Sequence, residues 1–212
     1  MTIPRLLAGL RHAAGTLLLL PLLSAQAASL DGLAVQIDQR SGFGFGGAFS
    51  DCFAQSTAAV VGAGVEQVGV AGSGDGCVGF FDVDLDPVAG TLVLTGRENG
   101  NYEVGRLSIS GLGAYGVGGV TLVSSNLIDP NAYGGDHTAV PSPSIQFSSY
   151  MVSIEYSAEG LGDGQFSYGN GDAFTAVFQI SQVPEPAAAA MLLLGLGGLG
   201  LQQHCRSSRL RH

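Results

Sequence analysis

A period of two, broken every few residues by a turn former, is what most limits the folds open to this chain. Six runs show it: Val78–Asp84, Thr91–Thr95, Leu107–Ser110, Val120–Ser124, Met151–Tyr156 and Phe174–Ile180. Each is short, rich in β-branched or aromatic residues, and bounded by Gly, Asp, Asn or Pro. Val152, Ile154 and Tyr156 alternate with Ser153 and Glu155, which gives a strand one wet face. Phe174, Ala176, Phe178 and Ile180 alternate with Thr175, Val177, Gln179 and Ser181 in the same way. No window sustains a 3.6-residue apolar stripe with caps, so the pattern predicts an all-β fold, an antiparallel β-sandwich. Ser125–Ser144, with Pro130, Pro141 and Pro143, reads as the largest loop, and residues 160–172 as a Gly- and Asp-rich hairpin into the final strand. Ala48–Gly72 fits either two strands of small residues or a short helix over Ser56–Val61, and its glycines favour neither.

Apolar segments bracket this domain. At the N-terminus, Arg5, Arg11 and His12 precede the apolar core Leu17–Leu23, and Ala25-Gln26-Ala27 places small residues at the two cleavage-critical positions. This predicts a secretory signal peptide over residues 1–27, cut before Ala28, with Pro21 breaking the helix near the end of its core. At the other terminus, Val183-Pro184-Glu185-Pro186 precedes the uncharged run Ala187–Leu201, and Arg206, Arg209 and Arg211 follow. The prolines forbid a regular helix through 183–186, and an extended segment suits a protease groove. Pro186 fits the first turn of the helix behind it. Fifteen residues of helix span about 22 Å at ~1.5 Å each, short for a permanent membrane span. Snorkelling arginines make up part of the difference and hold the C-terminus on the cytoplasmic side. Gly195, Gly197, Gly198 and Gly200 argue against a buried helix of a soluble domain.

The order Val-Pro-Glu-Pro, apolar helix, arginine cluster resembles the PEP-CTERM sorting signal of Gram-negative bacteria. The resemblance implies that exosortase, a membrane cysteine protease-transpeptidase, recognises Pro184, Glu185 and Pro186 and removes the tail. Those residues are then a substrate site, with Arg206, Arg209 and Arg211 as the basic stop. A lipid-anchor signal would lack the terminal basic cluster, and a Leu-Pro-x-Thr-Gly motif is absent. The expected organisation is a signal peptide at 1–27, a β-sandwich ectodomain at 28–182, and a sorting signal at 183–212. The last divides into the motif 183–186, a transmembrane helix 187–201 and a basic tail 202–212. Signal peptidase and the general secretion machinery are the other implied partners. The final strand is expected to deliver the chain straight to the motif.

Charge narrows what the domain can bind. Residues 28–183 carry eleven Asp and five Glu against three Arg (Arg40, Arg97 and Arg106), and the chain contains no lysine and no tryptophan. The resulting charge of −13 repels nucleic acid and anionic membranes. Cys52 and Cys77 are the only cysteines of the ectodomain, Cys205 lying beyond the apolar run, which suggests one disulfide in an oxidising compartment.

Asp82, Asp84 and Asp86 are spaced two apart, like the opening of a calcium loop, but Pro87 and Val93 occupy the positions of its turn glycine and closing glutamate. They read as the wet face of a strand with Val83 and Leu85 inward, with a non-standard calcium site at its end as the alternative. Asp163 and Asp172 each follow a Gly-x-Gly, echoing calcium-binding nonapeptides, although a glycine hairpin explains two copies equally. No cofactor is expected, and calcium is the one ion these carboxylates would suit. His137 follows Gly134-Gly135-Asp136 without a nucleophile elbow or a zinc-binding helix, and reads as an exposed loop residue. Tyr102, Tyr115, Tyr133 and Phe147 are candidates for a sugar-stacking platform. The expected function is a non-enzymatic surface or extracellular-matrix protein associated with exopolysaccharide or biofilm. A carbohydrate- or calcium-binding lectin-like module is the alternative, and a secreted hydrolase the third reading.

Overall fold

A computed structural model describes residues 28–44, 50–70, 81–97, 100–129, 140–161 and 164–183 of the chain. Twelve strands, all paired antiparallel, account for nearly all regular structure there, with one 3-10 turn at Leu112–Ala114. The first sheet has the order β2 (Ser50–Val60), β1 (Ala34–Phe43), β7 (Val104–Ser110), β10 (Met151–Ser157), β9 (Ser144–Ser148). In the second the order is β3 (Val65–Gln67), β4 (Phe81–Asp86), β5 (Thr91–Gly96), β12 (Thr175–Gln182), β8 (Val117–Ser125). A two-residue pair, β6 (Asn101–Tyr102) with β11 (Phe166–Ser167), completes the set.

All six expected strands are present, with ends shifted by up to three residues. The alternation dictates the burial: Val83 and Leu85, Val152, Ile154 and Tyr156, and Ala176, Phe178 and Ile180 are all inside, whereas Phe174 stays half-buried in the preceding turn. Both large sheets supply one continuous cluster, Val35, Ile37, Leu107 and Ile109 from the first joining Phe81, Leu92, Leu94 and Phe178 from the second. Ala48–Gly72 resolves in favour of strands. Ser56–Val61 is not helical, because Ser56, Thr57, Ala58, Ala59 and Val60 pair rung by rung with β1, satisfying backbone groups a helix would have bonded internally. The expected long loop gives way to β9 at Ser144, and the expected hairpin contains β11, which pairs with β6.

The strands define two ends. One gathers the start of β1, the end of β2, the β4–β5 turn, the 3-10 turn, the β9–β10 turn and the end of β12. Bonds from Gly32 N to Val61 O (2.8 Å), Val117 N to Ser149 O (3.0 Å) and Ile180 N to Gly90 O (2.9 Å) hold it together. The opposite end is plugged by aromatic rings. Tyr168 lies 5.1 Å from Phe81, 5.3 Å from Phe166, 5.4 Å from Tyr102 and 5.9 Å from Tyr156, centroid to centroid. Edge-to-face and tilted pairs of this kind add about 0.5–1.5 kcal/mol each beyond area burial.

Candidate functional site: the sorting junction and the acidic strand

β12 carries the chain to the motif, and hydrogen bonds hold it to its last residue. Its partners are β5 on one side and β8 on the other, with Ser181 opposite Gly119 and Gln182 opposite Val117. Val183 N–H donates to Gly116 O at 2.9 Å, and Gln182 Nε2 donates to Ala28 O. The backbones approach closely here. A Cβ on Gly118 would stand 2.6 Å from Val183 N, so only glycine fits. The described part of the chain therefore begins and ends side by side. Pro184, Glu185 and Pro186, the helix 187–201 and Arg206, Arg209 and Arg211 lie outside the described residues, as does the segment 1–27. No helix among the described residues is long and apolar enough to cross a membrane.

β4 presents Asp82, Asp84 and Asp86 on its wetter face, as period two requires, and each has a different task. Asp82 Oδ1 accepts Gly69 N–H at 2.8 Å and pairs with Arg97 Nε at 3.4 Å. Asp86 Oδ1 accepts the N–H groups of Val88 (2.8 Å) and Ala89 (2.9 Å), closing the β4–β5 turn. Those two donors, Ala89 foremost, hold its carboxyl below the usual aspartate range. Asp84 is shifted the other way, by partial burial first and by the Asp86 charge second. With Asp31 they border a shallow depression of about 480 Å³ that also involves Gly62, Gly64 and Val88. Among the described residues, no three His, Cys, Asp or Glu side chains stand in an arrangement able to hold a metal ion. Asp172 is exposed in the turn closed by Phe174 N to Gly171 O (2.9 Å), and Asp163 and His137 lie outside the described residues.

The tyrosine platform does not form. Tyr102 is fully buried in the aromatic plug, and half-buried Tyr115 donates its hydroxyl to Ile180 O at 3.2 Å. Phe147 is exposed on β9, and Tyr133 is outside the described residues. Cys52 lies on β2 and is disulfide-bonded, while Cys77 falls outside the described residues.

A polar cluster that the sequence did not announce joins the two sheets. Gln39 on β1 is wholly buried; its Nε2 donates to Gln67 Oε1 and to Phe81 O (2.9 Å). Gln67 Nε2 in turn donates to Thr57 Oγ1 at 2.7 Å and Ile37 O at 3.3 Å. Strands β1 and β2 are thereby tied to β3 and β4. The clue was the alternation Val35, Ile37, Gln39, Ser41, in which an amide and a hydroxyl occupy inward positions.

No curated protein and no solved structure matches this chain. One family model does, that of the PEP-CTERM protein-sorting motif, over residues 182–206. The match begins on the last residue of β12 and takes in Pro184, Glu185, Pro186 and Arg206. Such a motif implies export through the membrane to the cell surface and processing by exosortase, itself a membrane protein. From the end of β12 onward, then, the chain carries a PEP-CTERM protein-sorting motif.

Proposed function

We propose that this is an exported, non-enzymatic surface or extracellular-matrix protein of a Gram-negative bacterium, associated with exopolysaccharide. The observation that carries the reading is the junction: a sorting motif starting directly where a fully hydrogen-bonded strand ends. In this reading residues 1–27 are a signal peptide, 187–201 a membrane helix, and the two five-stranded sheets the layers of a β-sandwich. Cys52 pairs with Cys77, the other ectodomain cysteine. A non-enzymatic role is supported by the use of Asp82, Asp86 and Tyr115 in holding backbone. The test is mass spectrometry of the secreted protein from hosts with and without the sorting protease. A product starting near Ala28 and ending around Pro184–Pro186, lost without the protease, is expected. An intact C-terminus at His212 in both hosts would sink the reading. The alternative, a calcium-dependent lectin-like module, draws on the paired Asp84 and Asp86 carboxylates at the depression. It requires calcium to raise the melting temperature, by ligand linkage.

A further inference from the structure

The end at which the described chain begins and ends is also tipped with apolar side chains. Val88 stands in the β4–β5 turn with 96% of its surface exposed, and Val60, Val65, Tyr150 and Val183 are exposed around the same end. Such a rim has a cost in water, since each side chain gives up roughly 1.5–3 kcal/mol of burial. The chain beyond it says what covers it. Val183 is pinned to Gly116, so only Pro184–Pro186 separate the folded domain from the apolar run that begins at Ala187. Four extended steps reach at most about 14 Å, while the headgroup zone of one leaflet is roughly 5–8 Å deep. A domain tethered so tightly lies against the headgroups. Ala28, held by Gln182, brings the segment preceding it to the same place.

We infer that, while its tail is attached, this end of the domain is seated on the membrane surface, with Val60, Val65, Val88, Tyr150 and Val183 facing the lipid interface. The inference rests on reading 187–201 as a membrane helix. Valine tips supply apolar contact, and Tyr150 suits the interface, where an aromatic ring with a polar end is favoured. Asp31, Asp84 and Asp86 at the same end select against anionic headgroups, so the lipid is zwitterionic. Seating also turns the aromatic plug and its neighbouring loops outward, away from the bilayer.

The chain contains no tryptophan, so a single introduced one reports its own surroundings. The full chain carrying Val88→Trp, and separately Tyr150→Trp, is reconstituted into phosphatidylcholine vesicles with bromine-labelled acyl chains near the headgroup. Val140→Trp, exposed just ahead of β9 at the opposite end, is the control. The inference expects loss of most of the emission for Val88→Trp and Tyr150→Trp and none for Val140→Trp, with weaker quenching once phosphatidylglycerol is added. Equal emission from all three in a chain that floats with the vesicles overturns the seating and leaves the membrane tail standing. Quenching of Val140→Trp alone means that the other end is seated, which overturns it too. A chain that fails to float removes the membrane tail, and the seating with it.

Discussion

Tyr156 and Tyr168 put a titration inside the core. Burial lifts Tyr156 to about 12, partly offset by the approach of the Ser125 hydroxyl, which falls short of good hydrogen-bond geometry. Tyr168 is raised well above 10, by burial first and then by Tyr156 and Tyr102. The folded chain keeps these protons to higher pH than the unfolded one. Stability is therefore undiminished below pH 10 and is lost as pH rises from 10 towards 12. At about 1.4 kcal/mol per unit, Tyr156 alone accounts for roughly 3 kcal/mol of that loss. Tyr156→Phe should match or exceed the parent by about 1 kcal/mol at pH 8, and retain more of its stability at pH 11.5, in urea titrations. Gln39 works in the opposite sense. Gln39→Leu strands the Gln67 carboxamide and the Phe81 carbonyl, and should lower stability by about 2–4 kcal/mol. In Gln39→Leu/Gln67→Leu the second change should cost much less than it does alone. This cluster was not legible, because a glutamine in an alternating run reads as a solvent-facing residue until a second glutamine is found opposite it.

Among the elements, strands with apolar alternation were legible and strands with polar or small inward residues were not. β10 and β12 announce themselves through Val152, Ile154, Tyr156, Ala176, Phe178 and Ile180. β1 hides because Gln39 and Ser41 face inward. β2 hides because its run of Ala, Ser and Thr carries little periodicity at the edge of a sheet. The Gly-x-Gly-Asp echo has a packing explanation in its second copy. Gly169 crosses Gly96 so closely that a Cβ on Gly96 would stand 1.8 Å from Gly169 O, while Gly171 N donates to Gly96 O at 2.8 Å. Gly171 also has φ 98°, open to glycine at little cost. Gly96→Ala forces β5 away from the turn before β12 and should destabilise by about 3 kcal/mol. Thermal unfolding would show it, and an unchanged melting temperature would contradict this close crossing.

Across the whole molecule, destination was more legible than activity. Sorting is written in a local string, Pro184-Glu185-Pro186 with its apolar run and arginines, which needs no tertiary structure to be read. The ectodomain's chemistry depends on which carboxylates and rings come together, and only the fold shows that Tyr102 is core while Asp82 and Asp86 brace backbone. Its cross-link acts at the same scale. If Cys52 is bonded to Cys77, reduction should lower stability by roughly 3–4 kcal/mol on the loop-entropy argument. At about 2–4 °C per kcal/mol for a domain of this size, the midpoint should fall by roughly 10 °C. A midpoint that reductant leaves unmoved would count against the pairing.

β12 is the last strand to be synthesised, yet it lies between β5 and β8. Until residue 182 has been made, the second sheet is two separate pieces, β3-β4-β5 on one side and β8 on the other, with a vacant slot between them. Phe178 and Ile180, which belong to the centre of the core, arrive only then. The sheet closes and the sorting motif emerges within the same few residues. A nascent chain therefore reaches its address label at the moment its fold becomes complete. A chain stopped before the last strand would be an unfinished protein with an open centre.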